Sequence, residues 1–472
     1  MYNIKPELLE ARAADLPGMT GVRVPELFPD SPRPLAADSK EAVRKQIRDL
    51  TTRQIEEIDL SKIQAGDSVN ILASHHGFSI YGGEAYAEMI RTIRDEVERR
   101  CRTTDIRLFA GVGLRFRETD EYIERFGLKE YFGGKAAGIS PVDEGVPIQT
   151  EIGTLYGIKR AYNAKWIIHA HNNDIRELHY HRLIGRIFKP FAMSYATIET
   201  RSAYHQSMGP RAANFLPRAI YESRFVQEKF VCSFILQIAP TGIIGVNANN
   251  DLAKQDLALA RLSLNWYGKL ITLLGSIKEC ILVIDYPGPI PYTTAGGILF
   301  GNFLNANVDE FNLDIPFTAF TRYTDMLYTG KAVLSNKTPP PNPAIKALII
   351  NYCSKGYPST FFAQQIPTMV IGAQADLLGT CEQNTTFMNY AIRINKLQKA
   401  LQFAMQFSKT SHVLAFDGAV GGFNASQPLA DALYELAPSI SREVDETLMP
   451  LWCKQRGIVS LPVDPVGSMG QL

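Results

Sequence analysis

Residues 68–111 read SVNILASHHGFSIYGGEAYAEMIRTIRDEVERRCRTTDIRLFAG, and this stretch decides the fold class. Residues 68–73 (SVNILA) form a short apolar run that closes on Ser74-His75-His76-Gly77, the pattern of a strand leading into a loop. A helix is expected over residues 84–100, because Met89, Ile93 and Val97 recur on one face. Residues 105–110 (DIRLFA) read as a second strand, ending on Gly111-Val112-Gly113-Leu114-Arg115. Strand, loop, helix, strand is the cadence of an α/β domain with a parallel sheet. Ligands of such sheets bind beyond the carboxyl ends of the strands.

Working outward, residues 39–58 carry Val43, Ile47, Leu50 and Ile55 at helical spacing, with Ser39 placed to cap them. Thr119 or Asp120 is placed to cap a short helix after the second strand. A third strand, residues 166–169, runs into WIIHAHNNDIRELHYHRLIGRIFKPFAMSYATIETRSAYH, residues 166–205. A helix over 177–188 should stop at Lys189, since a residue before proline is pushed out of the α region, leaving Lys189 on a turn. A second helix is expected over about 196–205. Beyond it come a strand at 234–239, a long helix at 251–274 and a strand at 280–285, followed by the Pro/Gly loop YPGPIPYTTAGG. A stiff exposed connector (TPPPNP, 338–343), a strand at 368–372, an amphipathic helix around 386–407 and a strand at 412–416 complete a second α/β region. The expected architecture is therefore two α/β domains with mostly parallel sheets, residues 1–274 and 275–472, with the active site in the cleft between them.

The bulk numbers exclude several classes. The 472 residues are 46% hydrophobic and 21% charged with a net charge of +1, ordinary for a globular chain and without the basic excess of a nucleic-acid or anionic-membrane binder. The apolar runs are far shorter than the ~20 residues of a membrane span. The start, MYNIKPELLEARAADL, has no apolar signal region, and the six cysteines contain no C-x-x-C pair. The expectation is a cytoplasmic protein with reduced thiols.

Histidine is scarce, 8 residues in all, yet His169, His171, His179, His181 and His205 fall within residues 166–205. On a strand, His169 and His171 would face one side, whereas on a helix His179 and His181 diverge. Neutral imidazoles bind transition metals or move protons near neutral pH, and a lysine amine can carry a covalent group. Structural zinc would want four convergent ligands, and no cysteine lies nearby in sequence. A P-loop is absent, no G-x-G-x-x-G follows a strand, and Gly111-x-Gly113 alone reads more readily as a turn than as a phosphate cradle. Arg115 and Arg117 are of the right type to clamp a substrate carboxylate, although most arginines are simply solvated.

His179, Lys189 and His205 are separated by ten and then sixteen residues, and SYATIETRSAYH leads to the last of them. In this the chain resembles the nickel-dependent lactate racemase family of 2-hydroxyacid racemases and epimerases. The layout resembles it too, over roughly residues 60–310: one strand ends in Ser74-His75-His76-Gly77-Phe78 where the family has D-H-T-R, the next in Gly111-Val112-Gly113-Leu114-Arg115 where it has G-x-H-R, and Tyr286-Pro287 opens the second domain. The resemblance implies a nickel-pincer nucleotide tethered to Lys189 through a thioamide, with His205 as the metal's protein ligand and Gly111 and Gly113 beside the cofactor. It implies His179 as the base that removes the hydroxyl proton while hydride passes to the cofactor, and Arg115, Tyr286 and Thr294 as substrate contacts.

The departures bear on the substrate. The family's second catalytic histidine falls on Gly113 or Leu114, and His75 or His76 is the candidate to replace it. The family's G-F-S-G-G run before the lysine is RLIGRIF here, residues 182–188. The expectation is an isomerase acting on a 2-hydroxyacid other than lactate, such as a larger or sugar acid, with the cofactor-synthesis enzymes as partners, room for a homo-oligomer, and neither nucleic acid nor membrane. The alternatives are net hydroxyacid/ketoacid redox with the same cofactor, or a cofactor-free ligand-binding protein of the same fold.

Overall fold

The structure, a computed structural model, describes residues 5–35, 38–79, 83–111, 118–173, 186–204, 215–286, 309, 311–315, 341–353, 360–380, 386–419 and 421–458. The chain divides into two compact units, Pro34–Leu262 with Leu327–Lys331, and Met1–Arg33 with Ser263–Met326 and Ala332–Leu472. This differs from the expected division at 274/275 in two ways. The boundary falls inside the helix Leu252–Gly275, and the first 33 residues belong with the C-terminal region.

The physical reason is long-range pairing. Strand β1 (Met19–Arg23) adds antiparallel to the strand Gly422–Ser426, Met19 opposite Ser426 and Arg23 opposite Gly422. Just before it, Arg12 Nε donates to the fully buried Asp285 carboxylate at 2.9 Å, and Ala13 N–H donates to the same oxygen at 2.7 Å. Asn351 Nδ2 donates to the other Asp285 oxygen at 2.7 Å and to the Ala11 carbonyl at 2.9 Å. Burial raises the Asp285 carboxyl above its ordinary value, against the lowering by Ala13, Arg12 and Asn351.

Among the described residues, the Pro34–Leu262 unit is built on a six-stranded sheet. It contains β2 (Val69–Ser74), β3 (Ile106–Gly111) and β4 (Ala136–Ile139), and a separate hairpin of β5 (Gly145–Thr150) and β6 (Gly153–Ile158) follows them. It then takes up β7 (Trp166–Asn172), β8 (Phe230–Ala239) and β9 (Gly242–Asn249), in the order β4-β3-β2-β7-β8-β9. All its neighbours run parallel except β8 and β9. Every residue of β2 and of β8 is buried, as a parallel sheet covered on both faces requires. Alternation divides the strands between two cores. Ile71, Ala73, Ile168 and Ala170 pack with Met89, Ile93 and Val97 of the helix Gly83–Cys101. Leu72, Phe109, Ile167 and Ile235 pack on the other face with Phe188, Phe191 and Tyr195. The helix Lys40–Glu56 is capped by Ser39 Oγ, which accepts from Ala42 N–H at 3.1 Å, and Arg48 ties it to the buried Glu88 at 2.5 Å.

The other unit carries β10 (Cys280–Asp285), β11 (Ile345–Tyr352), β12 (Thr368–Ile371), β13 (Ala391–Ile394), β14 (Val413–Phe416) and β15 (Gly422–Ser426), in the order β1-β15-β14-β10-β11-β12-β13. Only the pairs β1/β15 and β14/β15 are antiparallel among the described residues. The two α/β units with mostly parallel sheets match the fold class read from the sequence. The described cysteines are free, and burial pushes the Cys280 thiol up to about 12. Among the described residues no helix is long and apolar enough to cross a membrane.

Several elements depart from expectation. The strand expected over 166–169 continues to Asn172, and Thr119 and Asp120 lie inside the helix Glu118–Arg125 rather than ahead of it. Asp120 instead accepts from Gly138 N–H at 2.7 Å. The region expected as one helix over 386–407 is divided: Ala391–Ile394 pairs with β12 as an edge strand, and the helix occupies only Leu397–Ser408. Asn342, expected in an exposed connector, is buried, and its Oδ1 accepts from Ala344 N–H at 2.9 Å.

Candidate active site at the carboxyl end of the first sheet

Because β2, β3, β7 and β8 are parallel, their last residues line one edge, and the polar side chains gather there. β2 ends on Ser74 and turns at once into the short helix His75–Ser79. Gly77 has no side chain because the Tyr86 ring lies where a Cβ would be. Tyr86 Oη donates to the Ala170 carbonyl at 2.6 Å and accepts from Ser74 N–H at 3.3 Å, joining the ends of β2 and β7.

The two strand histidines share a face, their ring centroids 5.7 Å apart. Each is already engaged. His171 Nδ1 lies 2.8 Å from Ser74 Oγ. His169 Nε2 stands 3.1 Å from the Ile187 carbonyl and Nδ1 stands 3.0 Å from Tyr195 Oη. Burial first, and His171 second, hold the His169 ring well below its ordinary pKa, so it is neutral. A carbonyl only accepts, so Nε2 carries the hydrogen; the single hydrogen of the Tyr195 hydroxyl is donated to the Leu72 carbonyl at 2.9 Å, with Nδ1 beside the same hydroxyl. His169 therefore fastens the chain at Ile187 to the sheet.

That fastening positions Lys189. The Arg186–Phe188 turn leads into the helix Lys189–Ala192, with Pro190 in its first turn. Lys189 thus begins a helix, where the sequence placed it on a turn that ends one. Proline is tolerated there because its missing N–H would have had no partner in the first turn anyway. Lys189 is half-buried between Phe188 and Pro190, both buried, and Phe191 packs 5.4 Å from the His169 ring and 5.6 Å from Tyr195. The segment continues to Ser194, whose carbonyl lies where a Cβ of Gly111 would be. Gly111, expected beside a cofactor, makes room for the chain that follows Lys189.

His75 is buried, with its ring 5.3 Å from His76 and 5.7 Å from Tyr122, while His76 is half-buried. The helix expected over 196–205 spans Ile198–Ser202. Residues 174–185, which hold His179 and His181, lie outside the described residues, as do His205, Gly113, Arg115 and Thr294. Tyr286 belongs to the other unit, where its ring packs against Gly418 and stands 6.1 Å from Phe416. Among the described residues, no three His, Cys, Asp or Glu side chains are grouped to hold a metal.

Sequence reasoning passed over three side chains of this edge. Ser74 was read as part of the strand-end stretch with no role of its own, Tyr86 only as part of a helix, and Tyr195 only as part of the segment leading to His205. Their roles come from partners 97, 84 and 26 residues away, which no local pattern signals.

No protein-family model matches the chain, and no curated protein does. Among solved structures, it is similar to the lactate racemase apoprotein from Thermoanaerobacterium thermosaccharolyticum, with 11% sequence identity and a TM-score of 0.42, over 85% of this chain and 99% of that one.

Proposed function

We propose that this chain is a racemase or epimerase of a 2-hydroxyacid, working with a nickel-pincer nucleotide carried on Lys189. The observation that carries the proposal is Lys189 itself. It stands at the spacing from His179 and His205 that the resemblance requires, on a helix start held to the sheet by His169, Tyr195 and Ser194. When bound, the group supplies a hydride acceptor.

The chain's own residues do the remainder. Lys189 is the covalent anchor and His205 the protein ligand of the metal. His179 takes the proton from the substrate hydroxyl, work suited to an imidazole near neutral pH. Inversion needs a proton-handling group on the opposite face, and His75 or His76 is assigned to it. Arg115, with Tyr286 and Thr294, holds the substrate carboxylate and its extension. The substrate is a hydroxyacid larger than lactate, because the positions for small-substrate contacts are changed in this sequence.

Co-expression with the cofactor-synthesis enzymes, followed by intact mass and nickel analysis, tests the reading. A nucleotide-sized adduct is expected on Lys189, lost completely in Lys189→Ala. In His205→Ala the nickel is lost while the adduct stays. An unmodified, metal-free wild-type chain overturns the proposal.

A further inference from the structure

Asn172 is the last residue of β7 and is fully buried. Neither its Nδ2 nor its Oδ1 has a hydrogen-bond partner among the described residues. Its neighbour shows what a structural amide looks like at the same place: Asn173 Nδ2 donates to the Ile238 carbonyl at 2.9 Å, and Ile238 N–H donates to Asn173 Oδ1 at 2.6 Å. A buried amide left without partners is costly, and natural proteins keep few of them.

The position is that of a ligand group. Asn172 sits at the carboxyl edge of a parallel sheet, opposite Leu236 of β8. Strand alternation turns it away from His169 and His171, to the face of Ile168 and Ala170. The β2/β7 register pairs Leu72 with His169 at the end of the ladder, and the helix His75–Ser79 that follows β2 lies against β7. His75, assigned above to one face of the substrate, is buried there too.

We infer that the Asn172 amide binds the reacting end of the substrate, its Oδ1 accepting from the 2-hydroxyl and its Nδ2 donating to the adjoining carboxylate. A neutral amide offers an acceptor and a donor side by side, and a 2-hydroxyacid presents the matching donor and acceptor on neighbouring carbons. An acid without the hydroxyl leaves Oδ1 unpaired, so the amide selects for the hydroxyl and not for charge alone. The choice of ligand rests on the function proposed above, whereas the orphaned amide does not.

The test uses the full chain produced without the cofactor-synthesis enzymes. Calorimetric titration compares DL-malate with succinate, and D-gluconate with 2-deoxy-D-gluconate, in wild type, Asn172→Leu and Asn172→Ala. Wild type is expected to bind at least one hydroxyacid about 10–100-fold more tightly than its counterpart lacking the hydroxyl, and both variants to lose that preference. The ligand-free melting temperature of Asn172→Leu is expected to equal or exceed that of wild type, since removing an unpartnered amide breaks no bond. No hydroxyl preference in wild type, an undiminished preference in the variants, or failure of both variants to fold overturns the inference. Because no cofactor is present, a chain that shows the preference yet acquires no adduct on co-expression keeps this inference and overturns only the cofactor reading.

Discussion

His169 shows how a residue type that points to chemistry can be occupied by architecture. Five histidines in residues 166–205 marked the region correctly as unusual, but the pattern does not say which ring nitrogens are available. The structure ties both nitrogens of His169 and holds the ring neutral by burial. The unfolded chain protonates this ring near pH 6.5, the folded chain only well below it. The unfolded state therefore binds more protons in the window below about 6.5, and stability falls there as the pH drops. Wild type should lose up to about 1.4 kcal/mol per pH unit through this group as the pH falls below 6.5. In His169→Gln, chemical denaturation at pH 7.5, 6.5, 5.5 and 5.0 should show a shallower decline. Equal slopes in the two proteins would refute the assignment.

At the scale of elements, the segment from Arg186 to Ser202 is a short turn and two short helices pressed on a sheet face, while most of the helix expected over 177–188 lies outside the described residues. Its shape follows from contacts: Ile187 held by His169, Tyr195 by Leu72, and Ser194 seated over Gly111. A methyl group at Gly111 would strike the Ser194 carbonyl, a backbone atom that cannot rotate away. Gly111→Ala should cost about 1–3 kcal/mol by overpacking and displace the chain that follows Lys189. Denaturant melts should register the loss, and adduct occupancy on Lys189 should fall in the same protein. A variant as stable as wild type, with full occupancy, would show that the segment tolerates the shift.

For the whole molecule, the governing fact is that residues 1–33 complete the unit made mostly of the C-terminal sequence. They supply the edge strand β1 and the Arg12 guanidinium that faces the buried Asp285. Deleting residues 5–33 exposes β15 as an open edge and leaves Asp285 buried without its cation. Asp285 is fully buried but Arg12 is 38% exposed, so losing the cation costs less than the ~3–5 kcal/mol of a fully buried pair, and the lost edge pairing adds to it against the ~5–15 kcal/mol that holds a domain folded. The truncated chain is expected to lose protease resistance in residues 280–458 while residues 38–249 stay protected, read by limited proteolysis with mass mapping. Undiminished protection of 280–458 would show that the N-terminal segment is dispensable.

Local physics made much of this protein legible in the sequence. The buried runs at Val69–Ser74 and Cys280–Asp285, the helix Gly83–Cys101 and the Ser39 cap follow from period and capping chemistry within a few residues, and they were read closely. Alternating strands and helices then imply parallel sheets and a polar edge at the strand ends, and that is enough to place Ser74–His76 and His169–His171 there. Tertiary structure alone decided what depends on distant partners. β1 pairs with a strand about four hundred residues away, Ala391–Ile394 leaves a helical pattern to join a sheet edge, and His169 is engaged while the Asn172 amide has no partner among the described residues. A side chain's availability for chemistry is set by which donors and acceptors surround it after folding, and those neighbours are not written next to it in the chain.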